Sequence, residues 1–416
     1  MFWVLLLALF LRLINLNQSL WLDEAFQFKS TYFFSLKDLL TVYLPGDFNP
    51  PLSYLINFGF GKVFGYSEIA LRLPSVIFGV LTVWLVYKIS QRKIWPALLL
   101  ATSGLHIYYS QEARMYSLAT LAVTASFWFL LKKRWFWYAI FSLAALYSHY
   151  LTVFIFPAQL LLIKKKEIKK LILSWSGIAL GFFPWLPIFL QQLAAGQATA
   201  GTSWGNVVGG LSLKALLLIP IKFLIGRIAI DNNLIFALVM AVPLLLTTWL
   251  VWRGVKSNKF FAAWLLVPLI LIIIVSLKLP VLSYFRLLFL LPAFYLLLCV
   301  KTSRSVLVGF LVFNLATTGI YLFNPAFHRE DWRGLARSLT DQPVVMIPAV
   351  NAPLKYYYSG EIIYTVPSAP EFWYIPYAEP IFDADLTLRQ KIAAVGYQEI
   401  SQKTFRGNLT LIQYKR

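Results

Sequence analysis

The sequence predicts an α-helical protein that crosses a membrane many times and ends in a small α/β domain. Of its 416 residues, 59% are hydrophobic and only 13% are charged. A soluble protein of this length needs many more polar residues to cover its surface. Apolar runs near ~20 residues, the length that spans a bilayer, recur along the chain until about residue 323. After that point charges return, and short alternating segments indicate a separate domain.

Eleven apolar runs are candidate membrane spans. The first lacks a basic start and a small-residue cleavage site, and Arg12 interrupts it, so we interpret it as a retained span rather than a signal peptide. The runs are Met1–Leu16, Ile69–Ile89, Ile94–Tyr109, Ser117–Leu131, Trp135–Tyr150, Leu151–Ile163, Leu171–Leu190, Leu234–Trp252, Phe260–Leu277, Tyr284–Val300 and Val306–Phe323.

The formal net charge of +20 could indicate a nucleic-acid partner, but its distribution argues against one. Most of the Lys and Arg residues stand in short clusters between apolar runs, which is typical of cytoplasmic loops. We therefore predict no nucleic-acid binding and expect these clusters on the cytoplasmic side. They are Lys88 to Lys93, Lys132 to Arg134, Lys164 to Lys170, Arg253 to Lys259, and Lys301 to Arg304.

The predicted orientation of the chain in the membrane depends on whether the segment Leu211–Ile230 crosses it. The basic clusters share one side only if this segment does not cross, and its Lys214, Lys222 and Arg227 favour an amphipathic element at the outer interface. In the alternative, it crosses and every later segment is inverted. The preceding stretch 194–210, rich in Gly, Ala, Ser and Thr, reads as a mobile lid or a linker.

If Leu211–Ile230 does not cross, the side of the membrane that carries the candidate active site lies outside the cytoplasm. It receives the first outer loop (residues 17–68), the turn Gln111–Met115 and the outer domain (residues 324–416), while residues 1–323 form the transmembrane catalytic domain. Within the outer domain we predict strands at Pro343–Ile347, Glu361–Thr365 and Asn408–Tyr414 and helices at Pro353–Tyr358 and Arg389–Val395.

Asp23 and Glu24 are adjacent carboxylates just after the first span, in a chain with only 17 acidic residues. A structural interpretation is that they begin an interfacial helix and favour its N-terminal dipole. The functional interpretation is that they form a pair of acids at the membrane surface, where a lipid-linked substrate can reach them. We predict both as catalytic, with Asp23 as the base and Glu24 in support.

The turn between the third and fourth spans is a second candidate. His106, Glu112, Arg114 and Tyr116 stand between two apolar runs. Ionisable groups at a membrane boundary are costly unless they are paired or used, so they indicate function. The alternative is a solvated turn with an interfacial belt of tyrosines.

Other polar residues could complete a site. Asn49 precedes Pro50 and Pro51, where it initiates a turn or contacts a substrate. Arg286 opens a span, where it snorkels to the surface or binds a phosphate. Lys29 is a lesser phosphate candidate.

A divalent metal is a further candidate, since no cofactor is certain. Its ligands would be His149, Glu112 and His106, although a neutral buried histidine is the more common case. The single cysteine, Cys299, excludes an intramolecular disulfide and a cysteine-based metal site.

The order of these motifs resembles the GT-C superfamily of glycosyltransferases that use polyprenyl-phosphate sugars. It is most similar to the bacterial branch related to protein O-mannosyltransferases and to the aminoarabinose transferase of lipid A. Many relatives have His rather than Asn before the Pro-Pro pair, so metal dependence stays open. The matching segments are Trp21–Ala25, Asp47–Leu55, Ser67–Ser75, His106–Tyr116, Tyr147–Tyr150 and Asp331–Gly334.

The resemblance implies inverting transfer of a sugar from a polyprenyl-phosphate donor to an acceptor hydroxyl outside the cytoplasm. The acceptor is a protein, a lipid or a glycan. In this comparison Asp23 matches the catalytic acid, while Glu112 and Arg114 match polar positions of the second outer turn. The residue types suit this chemistry, because a carboxylate takes the hydroxyl proton and guanidinium groups stabilise the departing phosphate. We expect Arg114, Arg286, Glu112, Tyr116, Asn49 and Lys29 to contact the donor.

A rival interpretation is a transporter or flippase that moves lipid-linked sugars without chemistry. Such a protein is expected to have polar groups near the middle of the bilayer and internal symmetry. The charges of this sequence gather at the outer ends of spans, and no repeat is evident, so we favour the transferase.

Overall fold

The computed structural model describes residues 1–199 and 209–416. Up to residue 323 the described chain is almost entirely helical, and its helices include both long membrane segments and short interfacial ones. Their bounds are Phe2–Leu13, Leu22–Phe33, Leu52–Phe64, Glu68–Ile89, Ile94–Ala101, Gly104–Ser110, Tyr116–Leu131, Trp135–Ser148, Ile155–Leu160, Ile168–Phe182, Leu186–Thr199, Leu213–Ile225, Asn233–Ser257, Lys259–Val275, Leu291–Leu298 and Arg304–Phe323.

Four helical stretches in the described chain are long and apolar enough to cross a membrane. Six further apolar helices of 10–17 residues accompany them. This confirms the predicted α-helical membrane protein, whereas the number of eleven crossings stays a prediction. The four are Glu68–Ile89, Lys165–Ala198, Asn233–Ser257 and Arg304–Phe323.

The predicted span Ile94–Tyr109 is not one continuous helix, because two helices meet at Thr102 and Ser103. Side chains satisfy the interrupted backbone there, as a break at membrane depth requires. Thr318 Oγ1 donates to the carbonyl of Thr102 (2.8 Å), and Asn314 Nδ2 donates to that of Leu99 (3.0 Å). The break redirects the second helix toward the turn at residues 111–115.

The helix Leu213–Ile225 has 13 residues, about 20 Å of rise, which is short for a bilayer core of ~30 Å. Its C-terminal Gly226, at φ +68°, packs so tightly against Gly104 that an added Cβ would lie 2.8 Å from the backbone. Beyond it, the guanidinium of Arg227 lies 4.9 Å from the ring centre of Tyr108. This position beside the turn at residues 111–115 favours the interfacial interpretation. In the predicted lid or linker at 194–210, the helix continues to Thr199, and positions 200–208 lie outside the described residues.

The outer domain contains a five-stranded sheet, as the predicted α/β class requires. The strand order is β2-β1-β3-β5-β4, with β1 parallel to β2 and β3 and the other pairs antiparallel. The sequence did not predict β3 or β4. The strands are β1 Val344–Met346, β2 Ile362–Ile363, β3 Glu371–Ile375, β4 Gln398–Phe405 and β5 Leu409–Lys415, and the helices are Trp332–Arg337, Ala352–Tyr357, Glu379–Phe382 and Thr387–Ala394.

The outer domain packs directly on the first outer loop. Arg333 forms an ion pair with Glu68 (2.5 Å), and the hydroxyl of Tyr357 donates to the same carboxylate (2.9 Å). The backbone N–H of Leu20 donates to the Tyr357 hydroxyl (2.8 Å), and Leu22 joins the apolar core of the sheet around Trp332. These contacts fix the start of the helix Leu22–Phe33.

Candidate active site

The helix Leu22–Phe33 carries Asp23 and Glu24 in its first turn. Successive helical side chains are rotated by about 100° around the axis, so adjacent residues meet different surroundings. The side chain of Asp23 is 32% exposed, whereas that of Glu24 is fully buried. The acid pair predicted from the sequence is therefore divided between an accessible cleft and the protein interior.

Asp23 faces the guanidinium group of Arg114 from the second outer turn. Their Oδ2 and Nη2 atoms lie 3.6 Å apart, and the Arg114 side chain is 8% exposed. Arg114 also donates from Nη1 to the hydroxyl of Tyr54 (3.4 Å), which in turn donates to Asp47 (2.7 Å). The Nε of Arg114 is buried and has no hydrogen-bond partner among the described residues. This guanidinium is thus held in place beside Asp23, with one N–H group left unpaired in the described chain.

Asn49 supports Asp47 rather than facing Asp23. Its backbone N–H (3.1 Å) and its side-chain amide (2.8 Å) both donate to Asp47 Oδ1. In this structure Asn49 therefore positions Asp47 within the loop, and its predicted contact with the donor stays a prediction.

Three further predicted residues surround the Asp23–Arg114 pair. The charge of Arg286 lies within electrostatic range of Asp23, Arg114 and Tyr116, and its Nη1 donates to the Pro280 carbonyl (3.0 Å). The ring of Tyr116 lies 6.1 Å from that of His149. The structure therefore gathers one carboxylate, two guanidinium groups, a phenol and an imidazole.

The outer domain closes this cleft on another side. Glu330 accepts hydrogen bonds from Trp332 Nε1 (2.8 Å) and the Tyr377 hydroxyl (2.8 Å). Burial raises the pKa of Glu330, and the charge of Asp23 raises it further, so the two carboxylates are electrostatic neighbours. A substrate at Asp23 would therefore also meet the outer domain.

Glu24 belongs to a buried ion cluster. Arg72 donates to both of its oxygens (2.7 and 2.5 Å), and the backbone N–H of Ala113 donates to Oε1 (2.9 Å). Arg329 Nε lies 3.2 Å from Oε2. Burial raises the pKa of Glu24, but the two guanidinium groups outweigh this and lower it overall. The Glu24 side chain is fully buried among these partners, which favours a structural role, and its predicted catalytic role stays a prediction.

Glu112 completes the cluster as its fourth member. Its side chain is fully buried, and Arg329 Nη2 lies 3.5 Å from Oε2. Burial raises the pKa of Glu112 to about 7, although the charge of Arg329 opposes this shift. Glu24, Arg72, Arg329 and Glu112, here named the buried ion cluster, join the first loop, the fourth helix, the second turn and the start of the outer domain.

The remaining predicted residues lie elsewhere. Lys29 is six helical positions from Asp23, which places it on another face, and its charged neighbour is Lys355. His106 Nδ1 lies 2.6 Å from Arg12 Nη2, a cation that would compete with a metal ion. Nowhere in residues 1–199 and 209–416 do three His, Cys, Asp or Glu side chains form a metal-binding group. The candidate metal site is therefore not assembled by the ligands predicted for it.

Sequence reasoning missed Arg72 and Arg329. Arg72 stands inside an apolar run, and an intramembrane or boundary arginine is a signal of a required partner. Arg329 had no such signal, because its partners Glu24 and Glu112 are more than 200 positions away in the chain.

No protein-family profile and no curated protein matches this sequence. Solved structures do match its fold. The apo structure of ArnT from Cupriavidus metallidurans superposes with a TM-score of 0.58 at 11% identity, covering 99% of this chain and 97% of ArnT. The structure of the same protein bound to undecaprenyl phosphate gives 0.55 at 11% identity with equal coverage. The chain therefore shares the ArnT fold along nearly its whole length, which supports the predicted helical membrane protein with a small C-terminal α/β domain.

Proposed function

We propose that this protein is a membrane glycosyltransferase that moves a sugar from a polyprenyl-phosphate donor to an acceptor hydroxyl. The observation that carries the proposal is the accessible Asp23 carboxylate beside the guanidinium groups of Arg114 and Arg286. The shared fold supports it, since ArnT has been solved with undecaprenyl phosphate. The predicted orientation of the basic clusters favours a reaction on the outer face.

The groups of the cleft can divide the chemistry between them. In an inverting transfer, the acceptor oxygen bonds to the anomeric carbon as the bond from that carbon to the phosphate oxygen breaks. Asp23 would take the acceptor proton. The leaving polyprenyl phosphate keeps the electron pair, and Arg114 and Arg286 would stabilise its added charge.

The two substrates would approach Asp23 from different sides. The donor phosphate fits beside Arg114, whose buried Nε has no partner in the described residues. The acceptor fits on the side of Glu330 and Tyr377, because the outer domain borders Asp23 there. This arrangement would keep the donor lipid in the membrane while an acceptor enters from the aqueous side.

The test is sugar transfer by purified protein in lipid nanodiscs. A panel of undecaprenyl phosphates carrying different sugars is offered with a membrane extract, and mass spectrometry follows both the new glycoconjugate and the released undecaprenyl phosphate. We expect Asp23→Asn to lower the transfer rate roughly 10²–10⁴-fold, the usual range for loss of a general base.

Asp38→Asn is the matched control, since Asp38 is an exposed acid in the same loop whose carboxylate accepts from Ser35 (2.7 Å). This variant should transfer at the wild-type rate. Full activity of the Asp23 variant would exclude Asp23 as the base. Transport of the donor across a vesicle membrane without a glycosylated product would favour the flippase.

A further inference from the structure

A basic cavity lies at the end of the helical bundle opposite to Asp23. It has a volume of about 640 Å³, and its lining includes Lys93, Lys301 and Arg304 together with Trp95 and Cys299. The helix Arg304–Phe323 begins at this cavity and leads to the outer domain. Its 20 residues rise about 30 Å, so a bilayer thickness separates the cavity from the outer domain.

The three cations of the cavity have no acidic partner. Lys93, Lys301 and Arg304 are exposed, and none forms an ion pair within the described chain. In the predicted orientation, Glu167 is the single acidic residue of the described chain on this side, and Lys133 already binds it (2.6 Å). The protein therefore supplies no counter-ion for this cavity.

The walls of the cavity are apolar below the charges. Ile94 is 42% exposed, while Cys299 and Trp95 are half-buried and Leu307 is buried. A ligand that fits must carry negative charge at one end and a hydrocarbon chain at the other. Basic pockets between membrane helices with this layout bind anionic lipid headgroups.

We propose that this cavity binds the phosphate headgroup of an anionic phospholipid from the leaflet opposite to the active site. The three cations hold the phosphodiester, and the first acyl carbons lie along Ile94 and Leu307. The site is independent of sugar transfer, because none of its residues touches the Asp23 cleft.

Native mass spectrometry of the detergent-solubilised protein with added phosphatidylglycerol tests the proposal. The variant Lys93→Gln/Lys301→Gln/Arg304→Gln should bind this lipid at least tenfold more weakly than the wild type. The control Lys164→Gln/Lys165→Gln/Lys166→Gln removes equal charge from an exposed cluster on the same side and should bind normally. Equal losses in both variants would indicate general charge attraction and overturn the site. Equal affinity for inorganic phosphate and for phosphatidylglycerol would overturn the assignment to a lipid.

Cys299 offers a second measurement that needs no variant. It is the sole cysteine and lines the cavity, so modification by N-ethylmaleimide reports on this place alone. Phosphatidylglycerol should slow the modification several-fold, whereas phosphatidylcholine should leave it unchanged. Binding of phosphatidylglycerol without protection of Cys299 would place the lipid elsewhere and refute the proposal.

Discussion

Two neighbouring clusters of charge around the first helix of the outer loop differ in how completely they are paired. In the buried ion cluster, Glu24 has hydrogen bonds or ion pairs with Arg72, Arg329 and the Ala113 backbone, and it is inaccessible. In the open cleft, Asp23 has a single ion pair with Arg114 at 3.6 Å and is one-third exposed. The comparison separates a carboxylate that is buried among its partners from one that is accessible to a ligand.

The buried cluster also explains how the cleft is held. Arg329 joins Glu24 and Glu112 by charge, its N–H donates to Gln18 (2.8 Å), and its carbonyl accepts from Arg406 (2.8 Å) in the β4–β5 connection. Arg329 therefore connects the outer domain to the helix that presents Asp23. A pre-organised site depends on such support from residues that do not touch the substrate.

The largest expected effect comes from breaking the buried cluster. Glu24→Gln leaves the guanidinium groups of Arg72 and Arg329 without their shared counter-charge, and loss of one partner in a buried ion pair costs about 3–5 kcal/mol. We expect a marked loss of folded protein, measured by thermal unfolding in detergent. Asp23→Asn is the adjacent control and should unfold at nearly the wild-type temperature. Equal stability of both variants would remove the proposed distinction between the two clusters.

Only part of the difference between the Asp23 cleft and the buried ion cluster could be predicted from the sequence. Hydrophobic runs and basic clusters indicated the membrane class, and the predicted topology together with the family resemblance led us to expect Asp23, Arg114 and Arg286 at one site. The sequence did not reveal which of Asp23 and Glu24 points inward, because that depends on the rotation of a short interfacial helix against Arg72. It also did not reveal Arg329, whose position is fixed by the packing of the outer domain.

Among the residues of the cleft, substitution of Arg114 should weaken donor binding most. Arg114→Ala removes a charged donor from the cleft, and hydrogen bonds to charged groups are worth about 1.5–3 kcal/mol. We expect the KM for the polyprenyl-phosphate donor to rise about 10- to 100-fold, with a smaller change for the acceptor. Arg114→Lys keeps the charge but loses the planar fork, so it should recover only part of the affinity. Equal changes for donor and acceptor would argue against a phosphate contact.

The pH dependence of the free energy of unfolding should reveal the raised pKa of Glu112. Its pKa is about 7 in the folded protein against an ordinary value of 4.5. A carboxyl group with a raised pKa favours the fold at low pH, and this contribution is lost as the pH rises from about 4.5 to about 7. The loss is on the order of 3–4 kcal/mol, because each pKa unit corresponds to about 1.4 kcal/mol.

Glu112→Gln carries no titrating proton and should abolish that part of the pH dependence. Melting temperatures of the wild type and the variant between pH 4.5 and 8 provide the measurement. The difference in melting temperature between the two proteins should change between about pH 4.5 and about pH 7 and stay constant above that. A constant difference would mean that Glu112 keeps an ordinary pKa in the fold.

The smallest effect is expected at the edge of the buried cluster, where Arg333 binds Glu68. The Arg333 side chain is 33% exposed, and partly exposed ion pairs contribute about 0.2–1 kcal/mol. Arg333→Ala should therefore leave the fold intact but speed hydrogen exchange of the backbone amides in residues 17–26, measured by mass spectrometry. Arg389→Ala breaks a similarly exposed pair with Glu379 inside the outer domain and should not affect those amides. Faster exchange in both variants would mean that the outer domain loosens as a whole. A change confined to Arg333→Ala would show that the contact with Glu68 steadies the helix carrying Asp23.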